Sequence, residues 1–256
     1  MTVPDIFRYW YTFFPKRVPV CQTWPVTSPR LLVLFDLDGT LVDPAGAITG
    51  GIRAALTASG LPVPGDADLQ RMVGPALITS MRDIARVPAD RIEDVIRHYR
   101  AGYRSAGMAQ SRPYPGVQAA VERLRTEHLV AVATQKPEPL AVELLAVQQM
   151  DSLFASVHGS PADEAAAAPD GKRSIIRAAL DRHAGSYDHA VMIGDRRHDV
   201  EGAHANGLDC IGVSWGFAAP GELEEAGAAV VVDTAGQLVD AVLRSAENGP
   251  ALHGAL

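Results

Sequence analysis

Four aspartates, a threonine and one or two lysines stand at the ends of short apolar runs, a set of residue types suited to phosphoryl transfer. Asp36 and Asp38 follow the run Leu31-Leu32-Val33-Leu34-Phe35, with Gly39 and Thr40 next. Thr134 ends the run Leu129–Ala133, and Lys136 stands two residues on. Lys172 opens a helical pattern. Gly194-Asp195 ends the run Ala190–Ile193, and Asp199 lies four residues further. Gathered in one crevice, four carboxylates would repel one another and raise each other's pKa unless a cation sat among them. All-oxygen ligation favours a hard metal, Mg2+ foremost. A lysine beside carboxylates and metal points to a bound anion. A dianionic phosphate monoester repels a carboxylate nucleophile, so metal and lysine together would make such an attack feasible. Phosphoryl transfer leaves the protein mainly positioning and charge neutralisation to do, and an aspartyl phosphate is one way to do it. Each residue alone has an ordinary reading, Asp-x-x-x-Asp as a helix start and a lysine as surface. Their order at successive strand ends is what argues for a site.

The elements that would hold them follow from the apolar pattern. A run that is apolar at every position, such as Leu31–Phe35, reads as a strand covered on both faces. Charges at its C-terminal end lie where open α/β sheets bind ligands. From about residue 113 onward, short strands alternate with helices: Val117–Glu127, Glu138–Gln149, Lys172–His183, Asp199–Asn206, Gly221–Ala226 and Ala235–Ala246 read as helix, and Leu129–Ala133, Ala155–His158, Ala190–Ile193, Asp209–Val213 and Val230–Val232 as strand. That alternation predicts a Rossmann-like α/β core, a parallel sheet with helices on both faces and all strand C-termini on one edge. Residues 44–112 lack strand patterns. Ala47–Ser59, Asp66–Val73, Ala76–Ala85 and Ala89–Ala106 read as helices, the last with Ile92, Val95, Ile96, Tyr99 and Tyr103 on one stripe. The expected organisation is an N-terminal extension over 1–29, a core over 30–43 and 113–246, an inserted helical domain over 44–112 and a tail over 247–256.

Composition narrows the classes. The chain of 256 residues is 47% hydrophobic and 21% charged, enough apolar content for a real core. A formal net charge of −7 argues against nucleic acid or a stable membrane association as partners. Cys21 and Cys210 show no metal-ligand spacing and fit reduced thiols in a cytoplasm, with Cys210 a small buried hydrophobe. Residues 1–29 hold seven of the fifteen aromatics and five prolines. Three readings stand for them: an ordered extension packing on the domain, a contact for a partner or membrane surface, or a start assigned too early. Lys16 and Arg17 follow the apolar cluster, the wrong order for a signal peptide.

Asp36-Leu37-Asp38-Gly39-Thr40, Thr134, Lys172 and Gly194-Asp195 with Asp199 resemble, in order, the four motifs of the haloacid dehalogenase (HAD) superfamily, in the branch similar to phosphoglycolate phosphatases. The resemblance covers about residues 30–246. It includes Asp209–Gly216, similar to the strand and loop after the fourth motif, and it makes the helical insertion a C1-type cap. It implies that Asp36 is the nucleophile and a Mg2+ ligand. Asp38 would protonate the leaving oxygen and then activate water, with its backbone carbonyl on the metal. Thr134, Gln135 and Lys172 would hold the phosphoryl oxygens. Asp195 would ligate Mg2+, while Asp199, Gly39 and Thr40 support. Gln135 stands where the branch often has Asn or Ser, and the segment before Lys172 is alanine-rich, so Lys136 remains an alternative to Lys172. An Asp at the position of Asp38 selects phosphate chemistry over dehalogenation.

The expected function is a Mg2+-dependent phosphatase acting on a small-molecule phosphate monoester, phosphoglycolate leading and nucleotides and sugar phosphates behind it, by a monomer or homodimer. Two alternatives are a phosphotransferase that passes the group to a sugar or protein hydroxyl and a non-catalytic binding module. Gly74, Pro75 and Tyr103 are candidates for specificity, although helix packing also accounts for Tyr103. Arg71 and Arg82 read as solvated surface, and so does His198.

Overall fold

A computed structural model describes residues 30–44, 46–161 and 171–248. The extension expected over 1–29, with Cys21, residue 45, residues 162–170 and the residues from 249 on lie outside the described residues.

The central strand β1, Leu31–Phe35, is buried at every position, as its unbroken apolar run requires. The other core strands are β4 (Leu129–Pro137), β5 (Val157–Ser160), β6 (His189–Gly194), β7 (Asp209–Val213) and β8 (Val230–Val232). They form one parallel sheet in the order β5-β4-β1-β6-β7-β8. Successive side chains of a strand point to opposite faces, and β1 divides accordingly. Leu31, Val33 and Phe35 join one apolar cluster and Leu32 and Leu34 the other. The first face is covered by α6 (Val117–Leu124), α7 (Glu138–Val147) and α11 (Ala235–Asn248), the second by α8 (Gly171–Arg182) and α9 (Arg197–His204). Each fully buried Leu, Val or Phe contributes about 2 kcal/mol by removing apolar area from water. The strand that carries Asp36 is therefore held from both sides.

A two-stranded ribbon stands at the mouth of the helical insertion. In it β2 (Val42–Asp43) pairs antiparallel with β3 (Arg112–Pro113), Val42 opposite Pro113 and Asp43 opposite Arg112. The chain thus leaves and re-enters at neighbouring points. Between them lie α1 (Ala47–Ala58), α2 (Asp66–Arg71), α3 (Leu77–Asp83), α4 (Ile92–Gly102) and the short α5 (Met108–Gln110). Ile92, Val95, Ile96 and Tyr99 are buried along one stripe of α4, as their spacing predicts.

Two elements differ from the sequence expectation by more than end fraying. The single helix expected over Ala89–Ala106 opens with a 3-10 turn, Ala89–Arg91, and passes into a π-helical turn, Tyr103–Gly107. Glycines bracket that turn, and a Cβ on Gly107 would lie 2.7 Å from the Tyr103 ring. Strand β4 also runs to Pro137 rather than stopping at Ala133, because it pairs with β5 again at Pro137–Ser160 after a register shift. Such irregularities re-aim side chains near sites, and this one carries Thr134, Gln135 and Lys136.

Candidate active site

The C-terminal ends of β1, β4 and β6 bring the expected residues to one crevice. Asp36 continues the ladder of β1, its N–H donating to the Ile193 carbonyl at 2.9 Å. The chain then turns sharply. The N–H groups of Leu41 and Val42 donate to the Leu37 carbonyl at 2.9 and 3.0 Å, and that of Gly39 to the Val42 carbonyl at 2.9 Å. Gly39 has φ +91°, where a side chain is strained, and a Cβ there would lie 2.2 Å from Asp195 Oδ2. A Cβ on Gly194 would meet the Asp199 carboxylate at the same distance. These two glycines let the carboxylates approach the backbone.

Asp36, Asp195 and Asp199 are buried, and one oxygen from each lies within 4.8 Å of the others. Lys172 Nζ sits between two of them, 2.9 Å from Asp36 Oδ1 and 2.6 Å from Asp199 Oδ1. Burial alone would pull the Lys172 ammonium down, but Asp199 and Asp36 outweigh it and hold its pKa above the ordinary lysine value. Burial, then Asp199 and Asp36, push the Asp195 carboxyl well up, although it accepts from the Phe217 N–H at 2.8 Å and the Thr40 hydroxyl at 3.1 Å. Burial and Asp36 push Asp199 up to about 6 against the opposing pull of Lys172. One lysine does not neutralise three buried acids. The donor set fits a hard divalent cation on Asp36, Asp195 and Asp199.

The Asp38 carboxylate stands outside that group. Its Oδ2 accepts from Lys136 Nζ at 2.8 Å, and its Oδ1 is buried with no hydrogen-bond partner among the described residues. The metal role expected of Asp38 is that of its backbone carbonyl, and the ion pair with Lys136 does not involve that group. Thr134 is 2% exposed, and its Oγ1 accepts the Lys136 N–H at 3.2 Å, leaving its own hydrogen to donate. Gln135 is half-buried beside Thr134. Asp199 also accepts the Arg196 N–H at 3.0 Å and so closes the first turn of α9.

Over Asp36 and Asp38 lies a cavity of about 60 Å³, lined on its core side by Thr134, Gln135 and Lys136. The helical insertion supplies the other wall, including Gly74, Pro75, Leu77, Tyr99, Arg100 and Tyr103. The three specificity candidates therefore meet here. Tyr103 packs and lines the cavity at once: it is 1% exposed, its ring stacks on Tyr99 at 5.8 Å, and Lys136 Nζ lies 4.3 Å from its centroid. Arg71 and Arg82 are exposed and paired with Asp68 and Asp83, in line with a surface role. His198 departs from expectation. It is half-buried on α9, and burial and Arg196 lower its pKa. A helix N-terminus usually faces water, but here α9 packs on α8.

Sequence reasoning held Lys136 only as an alternative to Lys172, whereas both lysines are in the site with different partners. It pointed to the loop after β7 but gave that loop no role. There the Phe217 N–H holds Asp195, and the Trp215 indole N–H donates to the Thr40 carbonyl at 3.1 Å. A backbone donor has no side-chain signature; the resemblance over Asp209–Gly216 pointed to this loop without its role.

A family model described as haloacid dehalogenase-like hydrolase matches residues 33–213. A 5'-nucleotidase of Pseudomonas aeruginosa is 36% identical over 192 residues, covering 75% of this chain and 86% of that one. A protein named tyrosine-protein kinase PtkA, of Mycobacterium tuberculosis, is 34% identical over 212 residues, covering 82% and 71%. Relatives named phosphoglycolate phosphatase lie nearby, one from Agrobacterium fabrum at 32% over 193 residues, 73% of this chain and 81% of that one. Among solved structures, a predicted phosphatase from Clostridium acetobutylicum superposes with a TM-score of 0.77 at 32% identity, over 85% of this chain and all of that one.

Proposed function

Since this chain belongs to the haloacid dehalogenase-like hydrolase family, we propose that it is a Mg2+-dependent phosphatase working through an aspartyl phosphate on Asp36. That it is a phosphoric monoester hydrolase follows from the family and its phosphatase-named members. One observation carries the finer reading: Lys172 bridges Asp36 and Asp199 at 2.9 and 2.6 Å while the third acid, Asp195, lies within reach of both.

Mg2+ held by Asp36, Asp195 and Asp199, with the Asp38 carbonyl, would supply charge neutralisation for a dianionic ester. Lys172 fixes the Asp36 carboxylate and lowers the repulsion that its attack on phosphorus must overcome. The Thr134 hydroxyl donates to a phosphoryl oxygen. Asp38, pinned through Oδ2 by Lys136, presents Oδ1 to the leaving oxygen, gives it a proton, and then takes one from the water that releases phosphate. The helical insertion acts as a cap over this chemistry and excludes water.

A small cavity favours a short leaving group, and phosphoglycolate leads on that ground. Arg100 stands on the cap wall, where it can meet a carboxylate. Nucleotides and sugar phosphates follow and need a wider opening. Transfer of the phosphoryl group to a sugar or protein hydroxyl is a second reading, to which only the name of the relatives at 34% identity points, for a protein acceptor. A panel of about 100 esters with Mg2+, scored for inorganic phosphate, tests the first reading. Labelled phosphate on a protein acceptor in place of inorganic phosphate would favour the second. Asp36→Asn abolishes turnover, and near-normal activity in that variant would sink the nucleophile assignment.

A further inference from the structure

Arg196 follows Asp195, yet its side chain leaves the crevice for the helical insertion. Its Nη1 donates to the Val73 carbonyl, 123 residues away in sequence, and its Nε donates to Glu222 Oε1 at 2.8 Å. The residue is 9% exposed, so these bonds are made largely out of water. Glu222 opens α10 (Glu222–Ala226) and is itself fixed, accepting the N–H groups of Arg197 at 3.0 Å and Ala219 at 3.1 Å. The loop that leads to α10 also carries the Phe217 N–H bound to Asp195. One guanidinium therefore ties three things together: the Asp195 turn, the loop after β7, and the backbone of residues 72–77, which line the cavity through Met72, Val73, Gly74, Pro75 and Leu77.

Room for this contact comes from Gly74. A Cβ there would come within 3.2 Å of Arg196 Cγ, and the residue has φ +105°. A planar guanidinium can serve a carboxylate and a carbonyl in different directions at once, which a lysine ammonium on a flexible stem does poorly.

We propose that Arg196, anchored by Glu222, is a positioning residue that fastens residues 72–77 over the phosphoryl-transfer site and so sets its closure. The proposal rests on the catalytic reading, because closure matters to rate only if Asp36 reacts beneath it. Arg196 touches no reacting atom. It acts through the walls of the cavity, which orient the leaving group and keep water out.

The test uses the full chain with Mg2+ and two variants, Arg196→Met, which keeps an apolar stem, and Glu222→Gln, which keeps the shape of the anchor. Amide hydrogen exchange over residues 66–77 is measured beside kcat, KM and Mg2+ affinity on the best ester of the panel. Exchange over 66–77 is expected to rise while β1 and β6 stay protected. The kcat of Arg196→Met is expected to fall about 10- to 100-fold with Mg2+ affinity unchanged, and Glu222→Gln to show the same split more weakly. General destabilisation would loosen the sheet as well and would overturn the assignment. Folded variants with wild-type exchange over 66–77 and wild-type kcat would also overturn it. If Arg196→Met does not fold, Glu222→Gln decides by the same criteria. A wild-type protein inactive on every ester would refute the catalytic reading, and the exchange arm would still decide the fastening.

Discussion

Lys172→Met separates the two lysines of the site and measures what the buried acids cost. Methionine keeps the stem that packs on Gly202, where a Cβ would already come within 2.9 Å of Lys172 Cγ. What is lost is the ammonium between Asp36 and Asp199, with Lys172 only 5% exposed. Removing one partner of a buried ion pair costs about 3–5 kcal/mol. For a chain of this size each kcal/mol shifts Tm by roughly 2–4 °C, so a fall of about 6–20 °C is expected at pH 8 in EDTA. The deficit shrinks on acidification. Asp199 already has a raised pKa of about 6. A carboxyl raised in the folded state stabilises fully below its unfolded pKa, and that contribution is lost as pH rises through the folded value. Without Lys172 the folded pKa rises further, so at pH 5 Asp199 is protonated and the missing cation matters less. Turnover at pH 7.5 falls by about 10²–10³, the cost of deleting a charge-stabilising donor. Thermal melts at pH 5 and 8 and phosphate release give the readings. Turnover within tenfold of wild type, with Lys136→Met inactive instead, would refute the assignment of Lys172 and give its role to Lys136. A Tm deficit equal at both pH values would refute the electrostatic account.

Asp38→Asn is expected to slow turnover severely while leaving Mg2+ affinity, read by calorimetry, largely intact, because the Asp38 carboxylate lies on Lys136 and outside the Asp36–Asp195–Asp199 group. Loss of metal binding would make Asp38 chiefly a ligand. Gly39→Ala is expected to lower both Tm and Mg2+ affinity, since the new Cβ would meet Asp195 Oδ2 at 2.2 Å in a left-handed backbone; wild-type metal affinity would contradict the close approach.

The chemistry of this protein is written mostly at strand ends, and strand ends are legible. The five apolar residues before Asp36 require burial on both faces, and burial on both faces requires a parallel sheet with helices above and below. Once the sheet is parallel, Asp36, Thr134 and Asp195 must reach one edge, and Lys172 and Asp199 follow at helix starts beside them. Local patterns determine all of that. They do not determine contacts between residues far apart on irregular backbone. Lys136 reaches Asp38 because β4 shifts register between Ala133 and Pro137. Tyr103 both packs and lines the cavity from a π-helical turn, with Gly107 against its ring and Tyr99 stacked on it, an arrangement no local pattern announces. Arg196 stands between the two aspartates of its motif with no local signal of its own, and only the folded chain brings Val73 and Glu222 to it. The sequence by itself determined which residues are candidates for the site and on which edge they meet, since burial and periodicity are local properties of a strand and its flanks. The tertiary structure decided which lysine holds which acid and what closes over them, since those pairings depend on the relative placement of segments far apart in the chain.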